Sequence, residues 1–233
     1  MVRNLLPRVD VIMAVRNGLP FVKDAVSSAL EQDGVRTRVI FIDNGSTDNT
    51  VDEINSLCSP NVQIYSGSKN DSAAAARNYG VTLSSANWLS FLDGDDLWPK
   101  NRTKKLFEVI EKNNEAISLG HVVEFQNKIP ALENSVHFDA SAKPAFCVGG
   151  TLFSRDIFEL VGPLSEELRV GEYVDWLSRS RDIGIEEIIV PVISLYRRKH
   201  NNNTSTARRN DYSRDIFRLV REHQQRVKSL KSE

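Results

Sequence analysis

Cysteine is scarce in this chain, with Cys58 and Cys147 alone among 233 residues. They lie far apart in sequence and in no metal-ligand spacing, which argues against a disulfide framework and against a zinc site. Long apolar runs are also missing: none approaches the roughly 20 residues needed to span a bilayer, and the N-terminus carries no apolar signal core. The expectation is a cytoplasmic protein whose membrane contact, where it has one, is peripheral at the inner surface. Nor does charge of one sign dominate. With 30 Lys and Arg against 31 Asp and Glu, no global field recruits nucleic acid. Only the C-terminus departs from this balance, since from Arg208 onward eight Lys and Arg face four Asp and Glu. Internal repeats and low-complexity linkers are absent as well, so one domain is the economical reading.

What is present is a 40% hydrophobic, 26% charged chain with ample material for a core. Val9 to Val15 is a short β-rich run ending at the turn-forming Asn17-Gly18. Pro20 suits a first helical turn, and Phe21, Val22, Ala25, Val26, Ala29 and Leu30 recur at helical spacing. Thr37 to Ile42 reads as a second strand running into Asp43-Asn44-Gly45-Ser46-Thr47-Asp48, which is turn and cap chemistry. A helix from about Asp48 to Leu57, a strand from Asn61 to Tyr65, an Ala-rich helix from Ser72 to about Ser84 and a strand from Trp88 to Leu92 follow. Such alternation with short connections implies an α/β fold, a mainly parallel sheet covered by helices on both faces. Asp43 and Asp93 then both end strands on one rim.

Beyond that point Trp98-Pro99 opens a basic amphipathic helix to about Lys112, and strands are expected over Ala116–Phe125 and Ala145–Phe153. Helices near Arg155–Val161 and Tyr173–Asp182 precede a final strand, Glu187–Tyr196, a polar loop, Arg197–Ser205, and an amphipathic helix from Asp211 to about Leu230. The division is a single domain over 1–207, with a nucleotide half at about 8–98 and an acceptor half at about 99–207, followed by a basic C-terminal helix over 208–233. The apolar stripe of that helix, Tyr212, Ile216, Leu219, Val220, Val227 and Leu230, is expected to pack on protein. A homo-oligomer contact and an anionic membrane surface are its alternatives.

Chemistry concentrates in Asp93-Gly94-Asp95-Asp96, just past the carboxyl end of an apolar strand. Open α/β sheets bind ligands at that end. Two carboxylates separated by one Gly can converge on one hard divalent cation while the backbone stays close to what the cation carries. An acidic turn is the bland alternative.

Four stretches occur in order: Ala14-Val15-Arg16-Asn17-Gly18, Ile42 to Asp48, Ala76-Arg77-Asn78-Tyr79-Gly80, and Leu92 to Asp96. Together they resemble the family 2 glycosyltransferases of GT-A fold. The resemblance implies that Asp43 reads the nucleotide base, that Arg77 lies by the nucleotide, and that Asp93 and Asp95 hold a divalent cation, Mn²⁺ or Mg²⁺, on the diphosphate. It also places Ala14, Val15, Asn17 and Gly94 around the nucleotide. A uracil-like base offers an N–H that Asp43 can accept, and Arg77 brings a rigid donor fork to phosphate oxygens. An Asx-turn for Asp43 and a solvated Arg77 are the alternatives.

Gly149 to Arg155, Val161 to Glu166 and Gly171 to Trp176 resemble the family's acceptor side, whose last segment carries the catalytic base. Many members read Glu-Asp where this chain reads Glu172-Tyr173, which leaves Glu172 and Asp175 as candidates near one helix face. Asp175 is favoured because a short carboxylate beside bulky Trp176 is open to desolvation and tuning. A salt bridge with Arg179 or Arg181 is the alternative for either. Tyr196 to Asn201 resembles the family's late basic stretch, in which His200 completes the metal site. Arg197 and Arg198 either offset diphosphate charge or lie on the surface.

The implied activity is metal-dependent, inverting transfer of a sugar from a nucleotide diphosphate sugar, with UDP as its nucleotide, to a glycan, lipid-linked or peptide acceptor. Two rivals stand beside it. A sugar-phosphate nucleotidyltransferase needs a Gly-rich phosphate loop, and Arg16-Asn17-Gly18-Leu19-Pro20 is poor in Gly. A nucleotide-sugar-binding module lacking transfer activity is the other, and Tyr173 keeps it open. Nucleic-acid binding rests on the basic tail alone.

Overall fold

The computed structural model describes residues 6–67, 72–112, 114–126, 128–132 and 142–200, together with 215, 218, 221, 223 and 226. Short apolar runs build β1 (Arg8–Val15), β2 (Arg36–Asp43), β3 (Val62–Ser66) and β4 (Trp88–Phe91). These pair in parallel in the order β3-β2-β1-β4. Their cross-connections carry α1 (Val22–Leu30), α2 (Thr50–Asn55) and α3 (Ala73–Leu83). The apolar side chains of β1 and β2 divide between two clusters. Ile12, Ile40 and Ile42 pack with Phe91, Phe153 and Trp176, while Val11, Met13, Val39 and Phe41 pack with Val22, Val26 and Trp98. Burial on both faces is what a parallel, helix-covered sheet requires.

The second half comprises α4 (Arg102–Ile110), β5 (Ala116–Phe125), β6 (Lys143–Pro144), β7 (Thr151–Ser154), α5 (Arg155–Val161), α6 (Glu172–Asp182) and β8 (Glu186–Arg198). Short β7 runs antiparallel to both β4 and β5 and so joins the halves into one eight-stranded sheet. Long β8 lies parallel to β5. The fold is a mixed, mostly parallel sheet flanked by helices.

Four boundaries differ from the sequence expectation. Pro20 lies in a turn, and α1 begins at Val22. The expected helix at Trp98-Pro99 begins at Arg102, because Trp98 is a core residue whose indole N–H donates to Gly149 O at 2.8 Å. Arg102, at the start of this basic helix, is fully buried. It lies 3.8 Å over the Trp98 ring and donates to the carbonyls of Gly149 and Thr151. The strand expected over Ala145–Phe153 survives only as β7, since Gly149 takes φ +88° and Gly150 sits where a Cβ would come within 2.3 Å of Ala145 Cβ. The expected loop at Arg197 is strand through Arg198, held by the β5 register at Phe125.

Both cysteines are free. Among the described residues no helix is long and apolar enough to cross a membrane. Most of the expected C-terminal helix lies outside the described residues, including the whole apolar stripe from Tyr212 to Leu230.

Candidate active site

Strand register assembles the site. Val15 pairs with Asp43, Asp43 with Ser66, and Ile12 with Phe91. Asp93, two residues beyond Phe91, therefore stands on the carboxyl rim level with Ala14. Gly94 packs so closely on β1 that a Cβ there would lie 2.9 Å from Val15 Cγ2, so only Gly lets the acidic turn approach. Asn17, with φ +53°, ties two rim loops together. Its N–H donates to Ser46 Oγ at 2.9 Å, and its Oδ1 accepts from Thr47 N at 2.8 Å. Asp43 does make the local turn, accepting from Ser46 N at 3.2 Å. A half-buried carboxylate with about four lone-pair sites keeps acceptor capacity beyond that bond.

The acidic turn brings potential ligand oxygens of Asp93, Asp95 and Asp96 within 4.8 Å of one another. Burial, then the charge of Asp93, raises the Asp95 carboxyl above its ordinary range against the pull of His200. Asp96 is raised further, by burial and then by Asp95 and Asp93. Carboxylates that crowd and repel in this way are a donor set short of positive charge. An all-oxygen set suits a hard divalent cation, so these residues fit one.

His200, past the end of β8, places Nε2 2.9 Å from Asp95 Oδ2, with its ring centroid 4.9 Å from that of Phe21. Asp96 Oδ1 accepts from the Arg198 N–H at 2.9 Å, which pins the acidic turn to β8. The surface alternative does not hold for Arg198. Its guanidinium is buried over Phe21 and Phe125, and its Nε donates to Asp95 O at 3.0 Å. Arg197 is half-buried, and its charge pulls against the rise of Asp96.

Arg77 is the hub. It sits on α3, 4% exposed, with Nη2 2.6 Å from Asp93 Oδ1 and Nη1 2.5 Å from Glu172 Oε1. Burial alone would lower its pKa, but Asp93 and Glu172 outweigh burial and raise it. A helix residue expected near the nucleotide thus bridges the acidic turn to the start of α6. Its neighbour Asn78 donates to Leu164 O and accepts from Leu164 N, both at 2.9 Å, holding the segment that leads to α6.

The two base candidates part company here. Glu172 opens α6 after Gly171, whose φ is +82°, and is drawn to the acidic turn through Arg77. Asp175 is 3% exposed and turns away, with Oδ2 2.8 Å from Arg179 Nε and Oδ1 3.6 Å from Arg226 Nη1. The salt-bridge alternative is the one seen for Asp175: its carboxylate is desolvated, but with two guanidinium partners. Tyr173, at the departure from the commoner pattern, is a core residue with its hydroxyl on the Thr151 hydroxyl.

Sequence reasoning left four contributors unassigned. Asp96 belonged to the quoted cluster, but spacing alone could not say which carboxylate would be buried. Ser46 and Thr47 read only as turn residues, and Phe21 only as helix face.

The family model described as glycosyl transferase family 2 matches residues 10–160. A Rickettsia bellii protein named "uncharacterized glycosyltransferase" is 28% identical over 231 residues, covering 91% of this chain. This chain spans 32% of that protein's length, and 18% and 54% of the lengths of two further relatives, from Rickettsia felis and Bacillus subtilis. Among solved structures, TarS 1-349 of S. aureus superposes with TM-score 0.72 at 14% identity, covering 94% of this chain and 65% of that one. TarS 1-349 has also been solved in complex with UDP-GlcNAc. The mannosyltransferase PcManGT of Pyrobaculum calidifontis, solved with GDP-Man and Mn²⁺, gives TM-score 0.71 at 15% identity over 94% of this chain and 64% of that one. These likenesses establish the GT-A architecture, and with the family match running from β1 through β7, the chain belongs to glycosyl transferase family 2.

Proposed function

We propose that the chain transfers a sugar from a nucleoside diphosphate sugar to an acceptor hydroxyl, with inversion and with a requirement for a divalent cation. The observation that carries this reading is Arg77, whose one guanidinium holds both Asp93 on the donor rim and Glu172 on the acceptor helix. Donor site and base are thereby fixed relative to each other, as in-line displacement demands.

Ala14, Val15, Asn17 and Gly94 form the floor against which the nucleotide lies, and Asp43 accepts from a uracil N–H, which favours UDP. Asp93, Asp95 and His200 would hold Mn²⁺ or Mg²⁺. Such a cation, when bound, withdraws charge from the diphosphate. Arg197 adds positive charge beside that group, since its side chain already acts on Asp96. Glu172 takes the acceptor proton. Arg77 orients Glu172 and, being buried, keeps that corner from water. A single positioned base serves one displacement and therefore inversion.

The acceptor is a glycan, a lipid-linked saccharide or a peptide, and nucleic acid is not a partner. We place the work on the cytoplasmic side, within one domain over 1–207. The C-terminal segment packs against the acceptor half in preference to pairing with a second copy or lying on a membrane.

A panel of UDP-, GDP- and TDP-sugars incubated with Mn²⁺ or with chelator, read by release of nucleoside diphosphate, tests the reading. At least one donor should turn over with Mn²⁺ and not with chelator. Binding of a donor with no release under any condition would instead make the chain a nucleotide-sugar-binding module.

A further inference from the structure

We propose that Asp215, carried by the C-terminal segment, is a positioning residue for Glu172. This inference rests on the role given to Glu172 above. Asp215 is 3% exposed, and its Oδ2 accepts from two consecutive backbone N–H groups, Arg169 at 2.9 Å and Val170 at 3.2 Å. Successive N–H groups of a turn form a concavity that suits an anion. Here the anion is a side chain from the chain's far end, and the turn it fills leads through Gly171, with φ +82°, directly into Glu172.

The same segment grips α6 farther along. Arg226 Nε lies 2.7 Å from Asp182 Oδ2, and Arg226 Nη1 lies 3.6 Å from Asp175. Arg218 pairs with Glu167, and the His223 ring stands 3.1 Å from Ser178 Oγ. Residues 215, 218, 221, 223 and 226 are helical, so these contacts follow α6 from the turn before its start to its last residue. Upstream, Asn78 fixes Leu164. The stretch from 164 to 171 is thus tied at one end to the nucleotide half and at the other to the C-terminal segment. Glu172 leaves from the tie that Asp215 makes. Arg77 then receives a carboxylate whose origin is already set, which is how a residue that touches no substrate governs the base.

Hydrogen exchange of the whole chain, with calorimetry of UDP plus Mn²⁺, separates this from a merely structural role. In Asp215→Ala, amide exchange over residues 167–175 should quicken at least about tenfold, while β1 to β4 and the affinity for UDP with Mn²⁺ stay within about twofold. With the donor that the panel above identifies, kcat should fall at least about tenfold at unchanged donor KM. Asp215→Asn, which keeps an oxygen acceptor, should recover most of both. Exchange that does not change, kcat that holds while exchange quickens, or no recovery in Asp215→Asn would each overturn the proposal. Should Asp215→Ala fail to fold, Asp215→Asn against wild type decides, with a smaller loss of kcat and protection at unchanged UDP affinity expected and a loss of UDP affinity counting against it. A chain that turns over no donor yet shows quickened exchange would sink the proposed reaction while supporting the tie.

Discussion

The two ends of the parallel strands treat their carboxylates in opposite ways. At the amino end Asp10 is fully buried and saturated. It takes Arg38 Nη2 at 2.5 Å and Arg8 Nε at 3.2 Å, with Ser84 Oγ at 2.6 Å and the N–H groups of Ser85 and Ala86. Burial pushes its carboxyl up, yet these partners together hold it below the ordinary carboxylate range. At the carboxyl end Asp95 is raised by burial and then by Asp93, and Asp96 by burial and then by Asp95 and Asp93. One end uses charge pairing to tie β1, β2 and the end of α3 together. The other keeps like charges close, with fewer positive partners to offset them.

The widest expected separation between the two ends is kinetic. Asp95→Asn should lower transfer at least about 10³-fold, about 4 kcal/mol, while melting as wild type does in chelator. Asp10→Asn should do the reverse. Breaking a buried pair leaves Arg38 uncompensated and should cost about 3 kcal/mol of stability, read from urea melts, with UDP affinity unchanged. Glu172→Gln should lose at least about 10²-fold in transfer while keeping UDP binding. Asp175→Asn should lose less in transfer and more in stability, because its partners Arg179 and Arg226 stay behind. Equal kinetic losses in the two would return the base to an open question.

Much of the carboxyl rim was legible in the sequence because parallel topology sends every strand's carboxyl end to one side. Asp43, Asp93 and Asp95 each follow an apolar run, so the order of elements alone put them together. His200 was legible through its place after the last strand. The choice between Glu172 and Asp175 was not. Helical spacing puts both near one face, and what separates them is partners from elsewhere: Arg77 on α3 for one, Arg226 near the chain's end for the other. Arg102 also depends on partners from elsewhere. A basic residue on an amphipathic helix is ordinarily solvated, and it is the carbonyl of Gly149, in a turn that was itself expected to be strand, with the carbonyl of Thr151 at the start of β7 and the Ser90 hydroxyl, that makes a buried site for it.

Smaller effects sharpen the comparison further. Asp43→Ala should erode the preference for UDP over ADP by about 1 to 3 kcal/mol, the cost of losing a charged hydrogen-bond partner, measured by calorimetry of both nucleotides. The pH dependence should be smaller still and opposite at the two ends. Asp10, lowered in the folded chain, contributes stability above its unfolded pKa that is lost as pH falls through the folded value. Asp95 and Asp96, raised, impose a cost above their folded values that is relieved as pH falls through them. In chelator, mild acidification from neutral should therefore stabilise wild type more than Asp96→Asn, and the loss at lower pH should be blunted in Asp10→Asn.

The most direct measurement is thermal melting of wild type, Asp10→Asn and Asp95→Asn, each with UDP and Mn²⁺ and each with UDP in chelator. At a ligand concentration about 100 times the dissociation constant, wild type and Asp10→Asn should both gain about 2.7 kcal/mol from the pair, and Asp95→Asn should gain almost nothing. An equal gain in Asp95→Asn, or a gain in wild type that persists undiminished in chelator, would contradict the assignment of the acidic turn to a cation and its nucleotide.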